Sequence, residues 1–356
     1  MIRFLELSGD HYQMGWQHGR QVSDLRPQIF KAMNLRLAFL RKNAADTQMY
    51  VDEISEYWQA ENCPTWEMLQ GIAEALELPW ENYFVYTMAS YLADRAILRS
   101  PARECSVWAA AGRVTGEGQP VLVKNRDYRP NHRGLQCLAN AKPARGYRYI
   151  YLTSAGSPGV FSSGMNEFGL AVADTHVSPT EMGPGLPRYS AMMHILEGCR
   201  SVEEAVDYLN GVRHVGDGTL VLADAGGDIA VFETGHHRSG LIRSDEGFVV
   251  SSNHFRSAGL RDAWLDRSPV ELLGSTQARY AKMSQALQAA RGAVDPGWAK
   301  QLMGSHGDAL SALCRHAELD PKATTISTII FEPRARRVQI CDGQPCQNKF
   351  EEWTLG

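Results

Sequence analysis

Arg103-Glu104-Cys105-Ser106-Val107-Trp108 opens a stretch that runs to Asp127 and reads as a β-hairpin whose first strand begins with a cysteine. Cys105 to Ala111 is small or apolar, Arg113 to Gln119 is a polar turn containing Gly116 and Gly118, and Pro120 to Val123 is a second apolar run. Two short strands across a Gly-rich turn are the plain interpretation. The second run ends in Lys124-Asn125-Arg126-Asp127, so the hairpin returns cations and a carboxylate to the start of its partner strand. The competing interpretation is that Cys105 is one more small buried residue, where free cysteines usually sit.

Four further motifs bear on that choice. Glu104-Cys105-Ser106, Lys124-Asn125-Arg126-Asp127, Gly164-Met165-Asn166-Glu167-Phe168-Gly169-Leu170 and Ser251-Ser252-Asn253-His254 occur in this order. Together they resemble the penicillin acyltransferase family of cysteine N-terminal-nucleophile hydrolases, which is related to the bile-salt and penicillin V amidases. Gly9-x-x-Tyr12-x-Met14-Gly15-x-x-His18-Gly19 and Gly71-Ile72-Ala73-Glu74-Ala75 extend the resemblance toward the N-terminus. It implies an α+β fold, a four-layer αββα sandwich preceded by a helical leader.

Composition is compatible with that expectation. The chain has 356 residues, 44% hydrophobic and 21% charged, enough for a sizeable core. A net charge of −4 supplies no basic field, so neither nucleic acid nor an anionic membrane is expected as a partner. The N-terminus has no signal-type apolar region, and no apolar run is long enough to span a bilayer. A soluble, cytoplasmic protein with reduced thiols at its seven cysteines is the expectation.

Along the chain, Met1 to Leu7 reads as a strand, and Tyr12 to Val22, Pro27 to Arg41, Pro64 to Leu76 and Trp80 to Ala93 carry helical periodicity. A polar, Pro-containing link at Leu98 to Arg103 marks the boundary. Residues 1–104 are thus the leader and 105–356 the catalytic portion, expected to form one compact unit. Strands follow at Tyr147–Thr153, Val160–Ser163, Leu170–His176, Thr219–Ala223, Ile229–Glu233, Gly240–Arg243 and Gly247–Ser252. Tyr189–Gly198 and Val202–Asn210 read as helices, the second with Ser201 and Glu204 as a capping box. Gln277–Ala290 reads as a helix capped by Ser275, and Thr325–Phe331 with Arg337–Cys341 as a late hairpin. Strands and helices in blocks favour α+β over a strictly alternating fold.

The chemistry explains why a cysteine would stand first in a strand. A thiol reacts as thiolate, and at a reference pKa of about 8.5 it needs a base or cation beside it. Cleavage of the Glu104–Cys105 bond would give Cys105 an α-amine of pKa roughly 7.7 to 8.0, able to take the thiol proton and return it to a leaving group. The thiol could make that cut itself by attacking the Glu104 carbonyl. The resemblance assigns Cys105 as nucleophile, Asp127 as the carboxylate that holds the α-amine, and Asn253 as an oxyanion donor. A turn-capping role for Asp127 and a self-bonded loop amide for Asn253 are the structural alternatives.

Lys124 stands where the related amidases carry arginine, and Arg126 shares its strand face. His176 and Arg279 are auxiliary candidates, His176 as pocket residue or structural histidine, Arg279 as site residue or surface-helix charge. His236-His237 and the pair Cys341 and Cys346 lack the two matched pairs of a zinc site, so neither a metal nor any other cofactor is expected. Asp224-Ala225-Gly226-Gly227-Asp228 reads as a hairpin turn. The expected activity is a self-processing amidase or acyltransferase that takes an acyl group from a small linear amide onto Cys105. An acyl-CoA-type thioester donor, or a binding protein on the same fold, are the alternatives. A homo-oligomer of processed heterodimers is compatible with this arrangement.

Overall fold

The computed structural model describes residues 2–43, 48–61, 63–96, 105–116, 118–290, 292–319, 321 and 323–355. The Leu98–Arg103 link and Glu104, on which the boundary and the cleavage site were read, lie outside them. Strand β1 (Arg3–Gly9) leads into five helices, α1 (His11–Gln21), α2 (Arg26–Asn43), α3 (Gln48–Ala60), α4 (Pro64–Ala75) and α5 (Trp80–Arg95). The Cys105 hairpin follows as β2 (Cys105–Gly112) and β3 (Gly118–Tyr128), then β4 (Gln136–Pro143), β5 (Tyr149–Ser154), β6 (Ser163–Asn166) and β7 (Ala171–His176). Helices α6 (Arg188–Gly198) and α7 (Val202–Gly211) precede β8 (Gly218–Ala223), β9 (Ile229–Thr234), β10 (Gly240–Ile242) and β11 (Phe248–Ser251). The chain closes with α8 (Ser275–Ala289), α9 (Pro296–Met303), β12 (Thr324–Glu332), β13 (Arg337–Asp342) and β14 (Phe350–Thr354).

Among the described residues the strands form two sheets, β1-β4-β5-β6-β7-β8-β9-β10 and β11-β2-β3-β12-β13-β14. Side-chain alternation along each strand then decides the layers. Val107 and Ala109 of β2 pack with Leu138, Leu152, Met165 and Val221 between the sheets. Trp108 and Ala110 point the other way, onto Met283 and Leu287 of α8 and Met303 of α9. On the far side of the larger sheet, Cys137, Ala139, Tyr149 and Tyr151 meet the leader helices together with α6 and α7. The order is helix, sheet, sheet, helix, the expected αββα sandwich.

Several local expectations need correcting. Strand β1 pairs in parallel with β4, which the sequence did not indicate. Sequence reading missed β4, whose Cys-Leu-Ala-Asn-Ala run is poor in β-branched and aromatic residues. It also missed α3, α9 and the edge strand β14. The strand expected at Val160–Ser163 begins only at Ser163. Gly274, at φ +83°, occupies the N-cap of α8, while Ser275 is the first helical residue and donates to the Leu310 carbonyl at 2.9 Å. At α7 the Ser201 hydroxyl does cap the Glu204 amide, but the Glu204 carboxylate bonds Arg200 instead of closing the box.

The N-terminal glycine motifs have a packing cause. Helices α1 and α4 approach so closely that a Cβ at Gly15 would lie 2.1 Å from the Met68 carbonyl oxygen, and one at Gly71 2.2 Å from that of Tyr12. This seam fixes His18, whose Nε2 accepts from the Gly156 amide at 2.9 Å. The leader is thereby tied to the β5–β6 connection, which borders the cavity described next.

Candidate active site

Cys105 sits at the first position of β2, buried, opposite Arg126 of β3. Its backbone nitrogen donates to Asn253 Oδ1 at 3.0 Å, and its carbonyl accepts from the Arg279 guanidinium at 2.7 Å. Arg279 also reaches Asn253 Oδ1 at 2.8 Å and the Ser106 hydroxyl at 3.0 Å. It is fully buried, so it belongs to the site and not to a surface helix. Asn253 completes its bonding by donating Nδ2 to the His176 carbonyl at 2.7 Å, while its backbone nitrogen donates to Thr276 Oγ1. Two donors converging on Oδ1 fix which way the amide faces.

Lys124 and Arg126 both line the cavity with Cys105, as strand alternation requires. Lys124 is buried and gives its ammonium to Asp174 and to the Ser162 carbonyl. Arg126 donates to Ser154 Oγ at 3.0 Å, and its guanidinium lies over the Tyr128 ring. Burial pushes the Cys105 thiol above its usual pKa, and the nearby Lys124 charge opposes that rise. For Asp174, burial raises the carboxyl while Lys124 and Arg188 pull it down, and the two cations win. Arg188 Nε donates to Asp174 at 3.0 Å, while its Nη1 pairs with Asp217.

Asp127 lies at the end of β3, next to a β-bulge in the β12 pairing between Thr325 and Ser327. Such a bulge re-aims side chains locally. Here the Thr325 hydroxyl donates to Asp127 Oδ1 at 2.6 Å. His176, the remaining auxiliary candidate, bonds Asp94 of α5 through Nε2 at 2.6 Å. Its ring therefore anchors the leader while its carbonyl holds Asn253.

The candidate site residues Cys105, Lys124, Arg126, Asp127, His176, Asn253 and Arg279 thus converge, whereas Asp94, Asp174, Arg188 and Asp217 were missed. Asp174 had a signal, since it stands two positions before His176 on the same strand face. The cavity beside Cys105 has two walls: Tyr128 and Phe161 from after Cys105, and Ala32, Tyr86 and Ala89 from α2 and α5 before it.

The chain thus carries a cysteine at the head of an inner strand of an αββα sandwich. The chain belongs to the family described as acyl-coenzyme A:6-aminopenicillanic acid acyl-transferase, whose match spans residues 114–347. That span includes Lys124, Arg126, Asp127, Asn253 and Arg279 but begins after Cys105. No curated protein matches the chain in sequence. Among solved structures it is similar to a mutant conjugated bile acid hydrolase from Clostridium perfringens, at 14% identity and a TM-score of 0.47 over 71% of this chain and 97% of that one. The Caenorhabditis elegans ortholog of N-acylethanolamine-hydrolyzing acid amidase gives 14% identity and a TM-score of 0.46, covering 71% and 100%. Penicillin V acylase from Agrobacterium tumefaciens gives 16% and 0.41, covering 70% and 86%. No helix among the described residues is long and apolar enough to cross a membrane.

Proposed function

We propose that the protein is a self-processing cysteine amidase or acyltransferase that acts on a linear amide of a small molecule through a thioester at Cys105. The observation that carries this reading is the double hold on Cys105, its nitrogen by Asn253 and its carbonyl by Arg279, with the cavity in front of its thiol. Cleavage between Glu104 and Cys105 turns that nitrogen into an α-amine, which takes the thiol proton. The sulfur attacks the amide carbonyl, the C–N bond breaks, and the α-ammonium returns its proton to the departing amine. Water or a second amine then attacks the thioester and frees the thiol.

Asn253 Nδ2 has a second hydrogen beyond the one given to His176, and it donates to the developing oxyanion. Asp127 stabilises the ammonium. Tyr86, Tyr128 and Phe161 favour an apolar or aromatic acyl group. A thioester acyl donor is the second reading, favoured by the activity after which the family is described.

The test is N-terminal sequencing and mass analysis of the purified chain, together with a screen of acylated amines and amino acids. Two associated polypeptides, 1–104 and 105–356, are expected. Cys105→Ala should stay a single folded chain without turnover. Full activity from an intact chain, or a second polypeptide starting at Ser106, overturns the proposal.

A further inference from the structure

The loop between α9 and β12 and the β13–β14 connection bring together four side chains that play no part in the proposed chemistry. His306, Cys314, His316 and Cys346 each present one ligand atom, and these atoms all lie within 4.8 Å of one another. The two sulfurs are 3.5 Å apart, and His316 Nε2 is 3.5 Å from Cys314 Sγ and 3.3 Å from Cys346 Sγ. The two imidazole Nε2 atoms are 3.2 Å apart. Zinc bonds of about 2.3 Å to sulfur and about 2.0–2.1 Å to nitrogen give tetrahedral edges of about 3.8, 3.5 and 3.3 Å for S–S, S–N and N–N pairs. The observed separations follow that pattern. A disulfide does not, since its sulfurs would have to stand at about 2.0 Å. Cys341, weighed with Cys346 and set aside in the sequence, turns inward to the Gly343 and Asn348 carbonyls and is not one of the four.

We propose that these four residues bind a zinc ion in a Cys2His2 structural site. With four protein ligands no position stays open for substrate, which makes the metal a cross-link and not a catalyst. The ligand-bearing backbone is already shaped for it. The Leu313 and Cys314 amides both donate to the Ser305 carbonyl, and Lys282 holds the His306 carbonyl. Binding replaces the two thiol protons, which pass to solvent, so uptake weakens as pH falls.

The cross-link reaches the active site from both sides of the loop. Arg315, between two ligands, donates its backbone N–H to Thr325 Oγ1 at 2.8 Å, and that hydroxyl donates to Asp127. On the other side of the loop, Asn125 donates to the Met303 and Leu313 carbonyls. Both ends of the ligand loop are therefore stitched to β3, the strand that carries Lys124 and Asp127.

Metal analysis of the full chain isolated without chelator should find about one zinc per chain. Cobalt(II) added to chelator-stripped protein should give the ligand-field bands of a tetrahedral site and a thiolate-to-cobalt charge-transfer band. Cys346→Ser, at an exposed position, should lower zinc affinity at least about 100-fold, the upper end of what losing a supporting contact alone costs. Cys341→Ser should leave affinity unchanged. Folding is followed by circular dichroism throughout. Folded wild-type protein with no zinc and no cobalt band, a band that persists in Cys346→Ser, or a chain mass lowered by two hydrogens through a Cys314–Cys346 disulfide would each overturn the site.

Discussion

The Arg279 guanidinium donates to Asn253 Oδ1 at 2.8 Å while another of its nitrogens holds the Cys105 carbonyl at 2.7 Å. One buried cation therefore sets both the Cys105 backbone and the orientation of the amide next to it. Asn253→Ala is expected to lower the rate constant by ~10²–10³, about 3–4 kcal/mol, with much less effect on ground-state binding. Arg279→Lys keeps the charge but cannot reach Asn253, Cys105, Ser106 and Ser275 together. Its loss should therefore be sub-additive with Asn253→Ala in a double-mutant cycle. Fully additive effects would show that Arg279 does not act through the amide.

Lys124 supplies the positive field that opposes the burial-driven rise of the Cys105 thiol. Lys124→Met should therefore raise the thiol pKa further and move the pH profile of iodoacetamide labelling at Cys105 to higher pH. Lys124→Arg should restore it in part. An unchanged labelling profile in Lys124→Met would remove the cation from the mechanism. Labelling is read by mass at Cys105, so that any modification of the exposed Cys346 does not enter the profile.

Asp127→Asn is close to isosteric and keeps an oxygen for the Thr325 hydroxyl, so it isolates the charge. Removing a carboxylate beside an ammonium lowers the ammonium's pKa. The acid limb of kcat/KM should accordingly shift to lower pH, or maturation should slow. A processed Asp127→Asn enzyme with the wild-type pH profile would exclude the assigned role.

Burial lowers the pKa of His18 to about 4, against an unfolded reference of about 6.5. Because the folded pKa is the lower one, the unfolded chain binds the proton first as pH drops. Stability is thus fully present above about pH 6.5 and falls as pH approaches 4, by a total of about 3 kcal/mol from this group. His18→Gln, which can still accept from the Gly156 amide, should flatten that part of the curve. Denaturant unfolding at pH 7, 5.5 and 4.5 checks it, and an identical slope in the variant would refute it.

What was legible in the sequence follows from how local each signal is. The Cys105 hairpin could be read almost residue by residue because alternation and a Gly turn are short-range patterns. Its partners were visible as motifs but not as contacts. Nothing local announces that Lys124 meets Asp174, or that His176 meets Asp94, since these pairs join different layers. Strand β4 was missed because its alanines and asparagine carry no strand preference, and its place is decided by burial between β1 and β5. The Cys314–Cys346 approach was equally hidden, because it joins a loop and a hairpin connection 32 residues apart.

The leader's place in the fold changes what a single cut would mean. Residues before Cys105 supply the edge strand β1, and their helices share one apolar core with α6 and α7. In the uncut chain these parts find each other at the modest cost of closing a loop. After cleavage the same encounter is between two molecules, and the unfolded state gains their independent translation. Maturation would therefore make folding concentration-dependent in a protein whose native contacts have not changed. Processed enzyme, once denatured and diluted, would be trapped apart, whereas its precursor would refold.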